Sequence, residues 1–318
     1  MVLKRTWLAI AALILPCVAN AQSFPTRPIE MIIPFSAGSA LDSNGRIFAN
    51  AFSEALGQSV VILNRDGASG TLGFTALTRA APDGYTIGYG PTTPIANAPF
   101  LLKSVGYNVE SFTYICQLFE TVFLIAVGPN SKFTSVSDLF KAAKEKPGEL
   151  TFGSAGVGTI GHLSLAHMAS SLGLKFQHVP YRGDAALVPA LLKGDLDFAV
   201  VTVGTLVNQP KLKTLAVVAN ERHPAFPDVP TAQEVGSVKI AIPPAHIGVF
   251  APRNIPAPVR ATLEKACETA LKSEAVQRAA KITGQNIKYL DGAKFEQQTI
   301  ADYNLKKEVI HNLGLAAQ

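Results

Sequence analysis

Little in this sequence points to a stapled, metal-bound or membrane-embedded protein. Three cysteines in 318 residues are too few for a disulfide scaffold, and a chain of this length can build its own core. Six histidines are scattered along it. The closest two, His162 and His167, are five apart, which does not stack them on one helical face as an i,i+4 zinc pair requires. No GxSxG nucleophile elbow occurs, and Ser, His and Asp form no local catalytic motif. Past the N-terminus, no apolar run reaches the about 20 residues a membrane span needs. Low-complexity linkers and close internal repeats are also lacking.

The N-terminus itself carries a three-part pattern. Lys4 and Arg5 give a positive start, Trp7 to Val18 an almost unbroken apolar run, and Ala19-Asn20-Ala21 the small residues a signal peptidase reads. The run is too short for a transmembrane anchor, so residues 1–21 read as a secretory leader cleaved before Gln22. A lipoprotein signal at Cys17 is disfavoured by Pro16. Removing the leader takes two of the 28 basic residues and none of the 23 acidic ones, so the net charge falls from +5 to +3. That small, dispersed excess gives no nucleic-acid footprint but suits attraction of small anions. Cys116 and Cys267 remain. In an oxidising compartment they could pair, but spacing alone does not bring them together, and two buried thiols are the favoured reading.

Strand and helix signals alternate. Residues 28–35 read as a buried strand, and apolar positions from Ile47 to Leu56 recur at helical spacing before Gly57. Val60 to Leu63 is a strand, Thr71 to Ala80 a short helix, Ala81-Pro82-Asp83-Gly84 a turn and Tyr85 to Tyr89 a strand. The cycle restarts after a strand at Val122 to Val127. Ser135 or Ser137 caps a helix running to Lys146, Leu150 to Phe152 is a strand, and His162 to Leu172 a helix. Strand, helix and strand follow at 175–179, 185–193 and 197–201, with further strands at 212–218 and 247–250. Helices at 257–272 and 291–313 end the chain. The expected fold class is therefore α/β, two lobes of mostly parallel sheet flanked by helices. The strands near 122–127 and 247–250 would cross between lobes, and the last segment would return to the first lobe. The lobes are expected at 22–123 plus 248–318, and at 124–247.

Three Gly/Ser-rich loops, Ser36–Asp42, Asp66–Thr71 and Ser154–Thr159, each follow a strand and open a helix. Free N–H groups and the helix dipole at such junctions favour anions, and open α/β sheets bind ligands beyond the carboxyl ends of their strands. Ser36, Ser39, Ser69, Ser154 and Thr159 add hydroxyl donors. One such loop would be a tight turn and cap; three, split between two lobes, point to a shared cleft for a small oxyanion. Gly156 to Gly161 formally matches GxGxxG, but no acid stands about 20 residues on, where His178-Val179-Pro180-Tyr181-Arg182 is found, so a dinucleotide site is rejected. His162, near a helix start, either assists an anion or caps and packs. Asp42 either holds a ligand group or is a helix-start acid. Val179 to Ala185 forms a fourth loop in which Tyr181 and Arg182 could close over a ligand, with Asp184 assigned as helix cap.

These residues resemble the Bug family, extracytoplasmic receptors of tripartite tricarboxylate transporters. The resemblance spans the chain after residue 21. It rests on Pro25-Thr26-Arg27-Pro28, Pro34-Phe35, Gly38 with Asp42 and Arg46, and Asn64-Arg65 with Gly67-Ala68-Ser69-Gly70. It continues in Ala81 to Thr86, Gly153 to Thr159 with His162-Leu163, Val179 to Gly183, Asp228-Val229-Pro230-Thr231 and Phe250-Ala251-Pro252. It implies a periplasmic Venus-flytrap fold hinged by two crossing strands. By position it implies ligand contacts from Ser36, Ala37, Gly38, Ser39, Asp42, Ala68, Ser69 and Gly70 in the first lobe. In the second lobe the implied contacts are Ser154, Ala155, Gly158, Thr159, His162 and Tyr181. Two positions depart from the family's pattern: Ser39 stands where a second glycine is usual, and His246 where Trp is usual. His246 is read as a packed hinge residue, with pairing to a second acidic ligand group as the alternative. The expected function is a periplasmic, non-catalytic receptor that captures a small carboxylate (amino acid, di- or tricarboxylate, or aromatic acid) for membrane transporter subunits. No cofactor, metal or nucleic acid is expected. The alternatives are an exported α/β hydrolase and a ligand sensor for a signalling system.

Overall fold

The structure, a computed structural model, describes residues 24–236 and 242–317. The expected leader and its cleavage point lie outside them. The chain runs β1 (Ile29–Ile33), α1 (Ala40–Leu56), β2 (Val60–Asn64), α2 (Thr71–Thr78), β3 (Thr86–Pro91), α3 (Thr93–Leu101) and β4 (Phe112–Thr121). It continues through β5 (Phe123–Val127), α4 (Val136–Glu145), β6 (Thr151–Ser154), α5 (Ile160–Leu172), β7 (Gln177–Pro180), α6 (Asp184–Lys193), β8 (Phe198–Thr202), α7 (Val203–Val207), β9 (Lys213–Val218) and α8 (Ala232–Gly236). It ends with β10 (Ala245–Pro252), α9 (Ala257–Leu271), α10 (Glu274–Ile282), β11 (Asn286–Asp291) and α11 (Gly292–Asn312).

The strands form two sheets, ordered β11-β4-β10-β3-β1-β2 and β7-β6-β8-β5-β9. In each, a parallel part carries the loops at issue: β3-β1-β2 in the first and β7-β6-β8 in the second. The remaining ladders, made by β4, β5, β9, β10 and β11, are antiparallel, so the two-lobed α/β fold holds but its sheets are mixed and not mostly parallel as expected. β4 and β5 are separated only by Val122 and lie in different sheets, which makes this the first passage between lobes. The return from β9 reaches the first sheet at Ala245, which pairs with Thr121, three residues ahead of the position the sequence suggested.

Local signals explain the elements beside the site. β1 reads Ile-Glu-Met-Ile-Ile and is buried at all but Glu30, as a strand covered on both faces must be. The side chain of Ser39 caps α1 by accepting the Asp42 N–H, and Gly57 closes it in the left-handed conformation. Phe48 and Phe52 of α1 bury fully in a core shared with β1, β3, β4, β10 and α9. On the opposite face, Phe74, Ile95, Phe250 and Phe295 join α2, α3, β10 and α11. The second sheet is likewise packed on both faces, by α4, α5 and α8 on one side and by α6 and α7 on the other.

Two expectations change here. Cys116 of β4 and Cys267 of α9, both fully buried, are joined by a disulfide rather than left as two thiols. They are 151 residues apart, and only the packing of α9 on the first sheet brings them together. The last segment does return to the first lobe, where α11 packs on β4 and α3. However, Val309 and Ile310, near its end, belong to the second lobe's core, so α11 touches both lobes.

Candidate ligand-binding site

The loop after β1 is organised by Asp42. This carboxylate is 2% exposed. Its Oδ2 accepts the Gly38 N–H at 2.8 Å and Arg46 Nε at 2.9 Å, and its Oδ1 accepts Asn64 Nδ2 at 2.8 Å. The hydrogen bond from Arg46, with those from Asn64 and Gly38, outweighs burial and lowers its pKa to about 2. Of the two roles the sequence left open for Asp42, these contacts make it the helix-start acid that shapes the loop. Ser36, Ala37 and Gly38 remain exposed and Ser39 half-buried.

The loop after β2 is tied to the first. Ser36 Oγ donates to Asp66 at 2.7 Å, and Asn64 Nδ2 also donates to the Phe35 carbonyl at 3.0 Å. Ala68 and Ser69 adopt left-handed backbone, φ 45° and 55°, between Gly67 and Gly70, which are also positive. Left-handed backbone costs an alanine or serine about 1–2 kcal/mol, and strain of this kind concentrates where a loop must present itself to a ligand. Ala68 and Ser69 are exposed, whereas Gly70 is buried.

The loop after β6 repeats the device of the first lobe. Gly158 N–H donates to His162 Nδ1 at 3.0 Å, as Gly38 donates to Asp42. Thr159 caps α5 by accepting the His162 N–H, as Ser39 caps α1. The two glycines have φ of 74° and 80°, and the two caps have ψ of 159° and 161°. The shared pattern is Gly-(Ser/Thr)-x-x-(acceptor), at 38–42 and 158–162. It is too short and too varied at its last position to register as a repeat in the sequence.

His162 is 6% exposed and stacks on His178 with ring centroids 4.0 Å apart. Burial, with repulsion from His178, lowers its pKa to about 4. It is neutral near pH 7, with its proton on Nε2 because Nδ1 accepts. Thus His162 serves the loop as cap partner and packed ring. Fully buried Ser154 shares a 2.8 Å hydrogen bond with His178 Nε2. Tyr181 N–H donates to the Ser154 carbonyl at 2.9 Å, and Gly183 N–H to Ala155 at 3.2 Å, so the fourth loop is stitched to the third. Asp184 is not the cap of α6: Gly183 holds that position. The Asp184 carboxylate instead accepts the Thr202 N–H and hydroxyl and the Thr205 hydroxyl, at 3.0, 2.8 and 2.7 Å.

The structure therefore gathers Ser36, Ala37, Gly38, Ser39, Asp42, Ala68, Ser69 and Gly70 at the carboxyl end of one sheet's parallel strands. It gathers Ser154, Ala155, Gly158, Thr159, His162 and Tyr181 at the corresponding end of the other's. The element joining them, α3, was missed. Pro94 packs toward Gly70, Leu101 packs on Gly158, and Asn97 Nδ2 donates to the Gly158 carbonyl at 2.8 Å. The signal was available: Pro91-Thr92-Thr93-Pro94 follows a strand and places Pro at the start of a helix.

His246 sits in β10 opposite Glu120 of β4. It is 2% exposed, with Nε2 3.2 Å from Asp302 and Nδ1 3.7 Å from Glu120. Lys288 meets Glu120 at 2.8 Å, and fully buried Lys306 lies 3.8 Å from Asp302. Burial lowers the Lys306 pKa against the attraction of Asp302. His246 is thus packed in the hinge among the protein's own acids.

Residues 45–315 match the family described as the tripartite tricarboxylate transporter family receptor. The chain belongs to that family. A Bordetella pertussis protein of the UPF0065 group is 35% identical over 271 residues, 84% of each chain. Among solved structures, a Rhodopseudomonas palustris protein with adipate is 26% identical, covers 92% of this chain and 99% of that one, and superposes with a TM-score of 0.81. MatC from Rhodopseudomonas palustris with bound malate is 27% identical, covers 90% and 100%, and superposes with a TM-score of 0.76. The family resemblance carried by the Gly/Ser loops thus holds over most of the chain.

Proposed function

We propose that this protein is a periplasmic receptor that captures a small carboxylate between its lobes and presents it to the membrane subunits of a tripartite tricarboxylate-type transporter. The observation that carries this reading is the loop device at 38–42 and 158–162, repeated at one strand-to-helix junction of each lobe, with α3 reaching from Gly70 of the neighbouring first-lobe loop to Gly158. The relatives with adipate and malate supply the ligand class. Their fold places a carboxylate receptor on the same architecture, and the helix N-termini of α1, α2 and α5 favour an anion. The contacts proposed for the ligand are the exposed Ser36, Ala37, Gly38, Ala68 and Ser69 with half-buried Ser39, faced by half-buried Ala155, Thr159 and Tyr181. Binding favours the closed form through its differential affinity, and the transporter reads that form.

The protein is proposed to bind without catalysis. Ser154 and His178 form a serine–histidine pair, but the serine is fully buried, out of reach of an ester or amide. The test is thermal unfolding of the chain from Gln22 onward, freed of ligand by unfolding and refolding, across a panel of small carboxylates. A ligand at 100 times its Kd adds about 2.7 kcal/mol, a clear rise in Tm. Folded protein that responds to no carboxylate but turns over esters would replace the receptor with the hydrolase.

A further inference from the structure

One buried polar atom beside the site has no partner. Asn97, on the second turn of α3, is 2% exposed, and its Nδ2 donates to the Gly158 carbonyl of the second lobe. Chemistry fixes that orientation: a carbonyl only accepts, so the amide nitrogen must face it. Asn97 Oδ1 is then a buried acceptor without a donor. Buried acceptors of this kind are costly and call for a specific explanation.

The surroundings suggest one. The Gly158 peptide is held on both sides, its N–H by His162 and its carbonyl by Asn97. Three residues before Asn97, Pro94 faces Gly70 of the first-lobe loops. One turn after it, Leu101 faces Gly158. Thr92, at the start of the same helix, makes no side-chain cap hydrogen bond, and its hydroxyl is buried and unpaired as well. Asn97 therefore stands between the two groups of candidate ligand residues and touches the far lobe directly.

We propose that Asn97 couples the ligand to lobe closure, and that the ligand carries a hydroxyl or ammonium beside its carboxylate. Nδ2 holds Gly158, while Oδ1 accepts the hydrogen bond of that ligand donor. The inference rests on the receptor reading and narrows its ligand class. A carboxylate offers acceptors only, so a plain diacid leaves Oδ1 unpaired. A hydroxy or amino acid fills it. Sites built to hydrogen-bond a ligand group discriminate strongly against analogues lacking it.

The test is titration calorimetry on the refolded, ligand-free chain with matched acids: malate against succinate, 2-hydroxyglutarate against glutarate, and aspartate and glutamate beside them. Small-angle scattering follows closure. The expected result is a pair in which the donor-bearing acid binds at least tenfold tighter than the plain one. In N97A that ratio falls to within about twofold and the molecule no longer contracts with ligand. N97D, equal in size, keeps two acceptors but cannot donate to Gly158. It should keep its preference for ammonium-bearing acids yet fail to close, with circular dichroism confirming that both variants fold. Equal binding of the two members of each pair, or a ratio that survives in N97A, would overturn the inference while the receptor reading stands; Oδ1 would then hold a water. Binding only of acids that lack a donor would overturn it likewise. Folded protein that binds no carboxylate at all would overturn both.

Discussion

Asp42 holds the backbone N–H of Gly38 at 2.8 Å, four residues upstream. The bond closes the first-lobe loop on itself, and Arg46 and Asn64 hold the carboxylate from its other sides. Replacing Asp42 with Ala strands three donors, and an expected loss of about 2–3 kcal/mol should appear in urea unfolding. The pH dependence has a definite sign. The folded pKa of about 2 lies below the ordinary 3.8, so the stabilisation is fully present above about pH 4 and disappears as pH falls toward 2. Because Arg46 is half-exposed, solvent screening reduces it to about 1–2 kcal/mol. The stability gap between wild type and D42N should close over that window.

His162 works in the other direction of charge. Its folded pKa of about 4 lies below the ordinary 6.5, so the unfolded chain takes up a proton first on acidification. Stability should therefore be full above about pH 6.5 and decline by roughly 2 kcal/mol toward pH 4. H162N keeps an acceptor for the Gly158 N–H but does not titrate. Its unfolding free energy should be flatter than that of wild type between pH 6.5 and 4; parallel curves would remove His162 from the account.

The paired glycines should respond differently to substitution. Alanine at Gly38 meets open space at φ +80°, so G38A should cost only the left-handed backbone, about 1 kcal/mol. At Gly158, φ +74°, a Cβ would collide with Leu101. G158A should therefore lose more stability and also loosen the contact between lobes. Adding L101A should relieve the collision but not the backbone cost. Chemical denaturation of the three variants separates the two components.

The Cys116–Cys267 disulfide joins two elements of the first lobe and closes a long loop that contains the whole second lobe. The C116A/C267A double variant should lose about 3–5 kcal/mol in the chain-entropy account. Both sulfurs are buried, so a reductant should have little effect on the native Tm until the protein is first unfolded. Mass spectrometry after thiol labelling, with and without denaturant, reads the difference.

At the hinge, removing one member of the cluster leaves the others uncompensated. K306M should be destabilising by about 3–5 kcal/mol, and the K306M/D302N pair should recover much of that loss. H246A should leave ligand affinity unchanged, because His246 is buried between Asp302 and Glu120 of the protein itself. A ligand-specific loss of affinity in H246A would instead restore the alternative in which it meets an acidic group of the ligand.

Much of the parallel part of each sheet could be read from the chain, because glycine turns, helix caps and buried apolar strands are local signals. The Ser135 cap and the Gly57 stop are examples. α3 escaped because Pro99 interrupts its interior, and its packing against α11 and α2 supports the helix past that point. β4 escaped because Gln117 and Glu120 interrupt an apolar run; their partners, Gln298, His246 and Lys288, are far away in sequence. The disulfide and the hinge cluster have the same character. They are made by tertiary proximity, which spacing along one chain does not record. The role of Asp42 became clear only once Asn64, on the next strand, was seen to face it.

The position of α11 bears on how the molecule can move. A pair of lobes joined only by two strands could swing widely, like a door on a soft hinge. Here the last helix is anchored to β4 and α3 at its start and middle. Its end lies in the second lobe's core through Val309 and Ile310, and Ala317 then ties the chain back to Phe100. Any opening must shear this buried apolar seam or bend the helix, and both resist large amplitudes. The cleft is therefore sprung rather than slack, and a small ligand need overcome only a short travel to shut it.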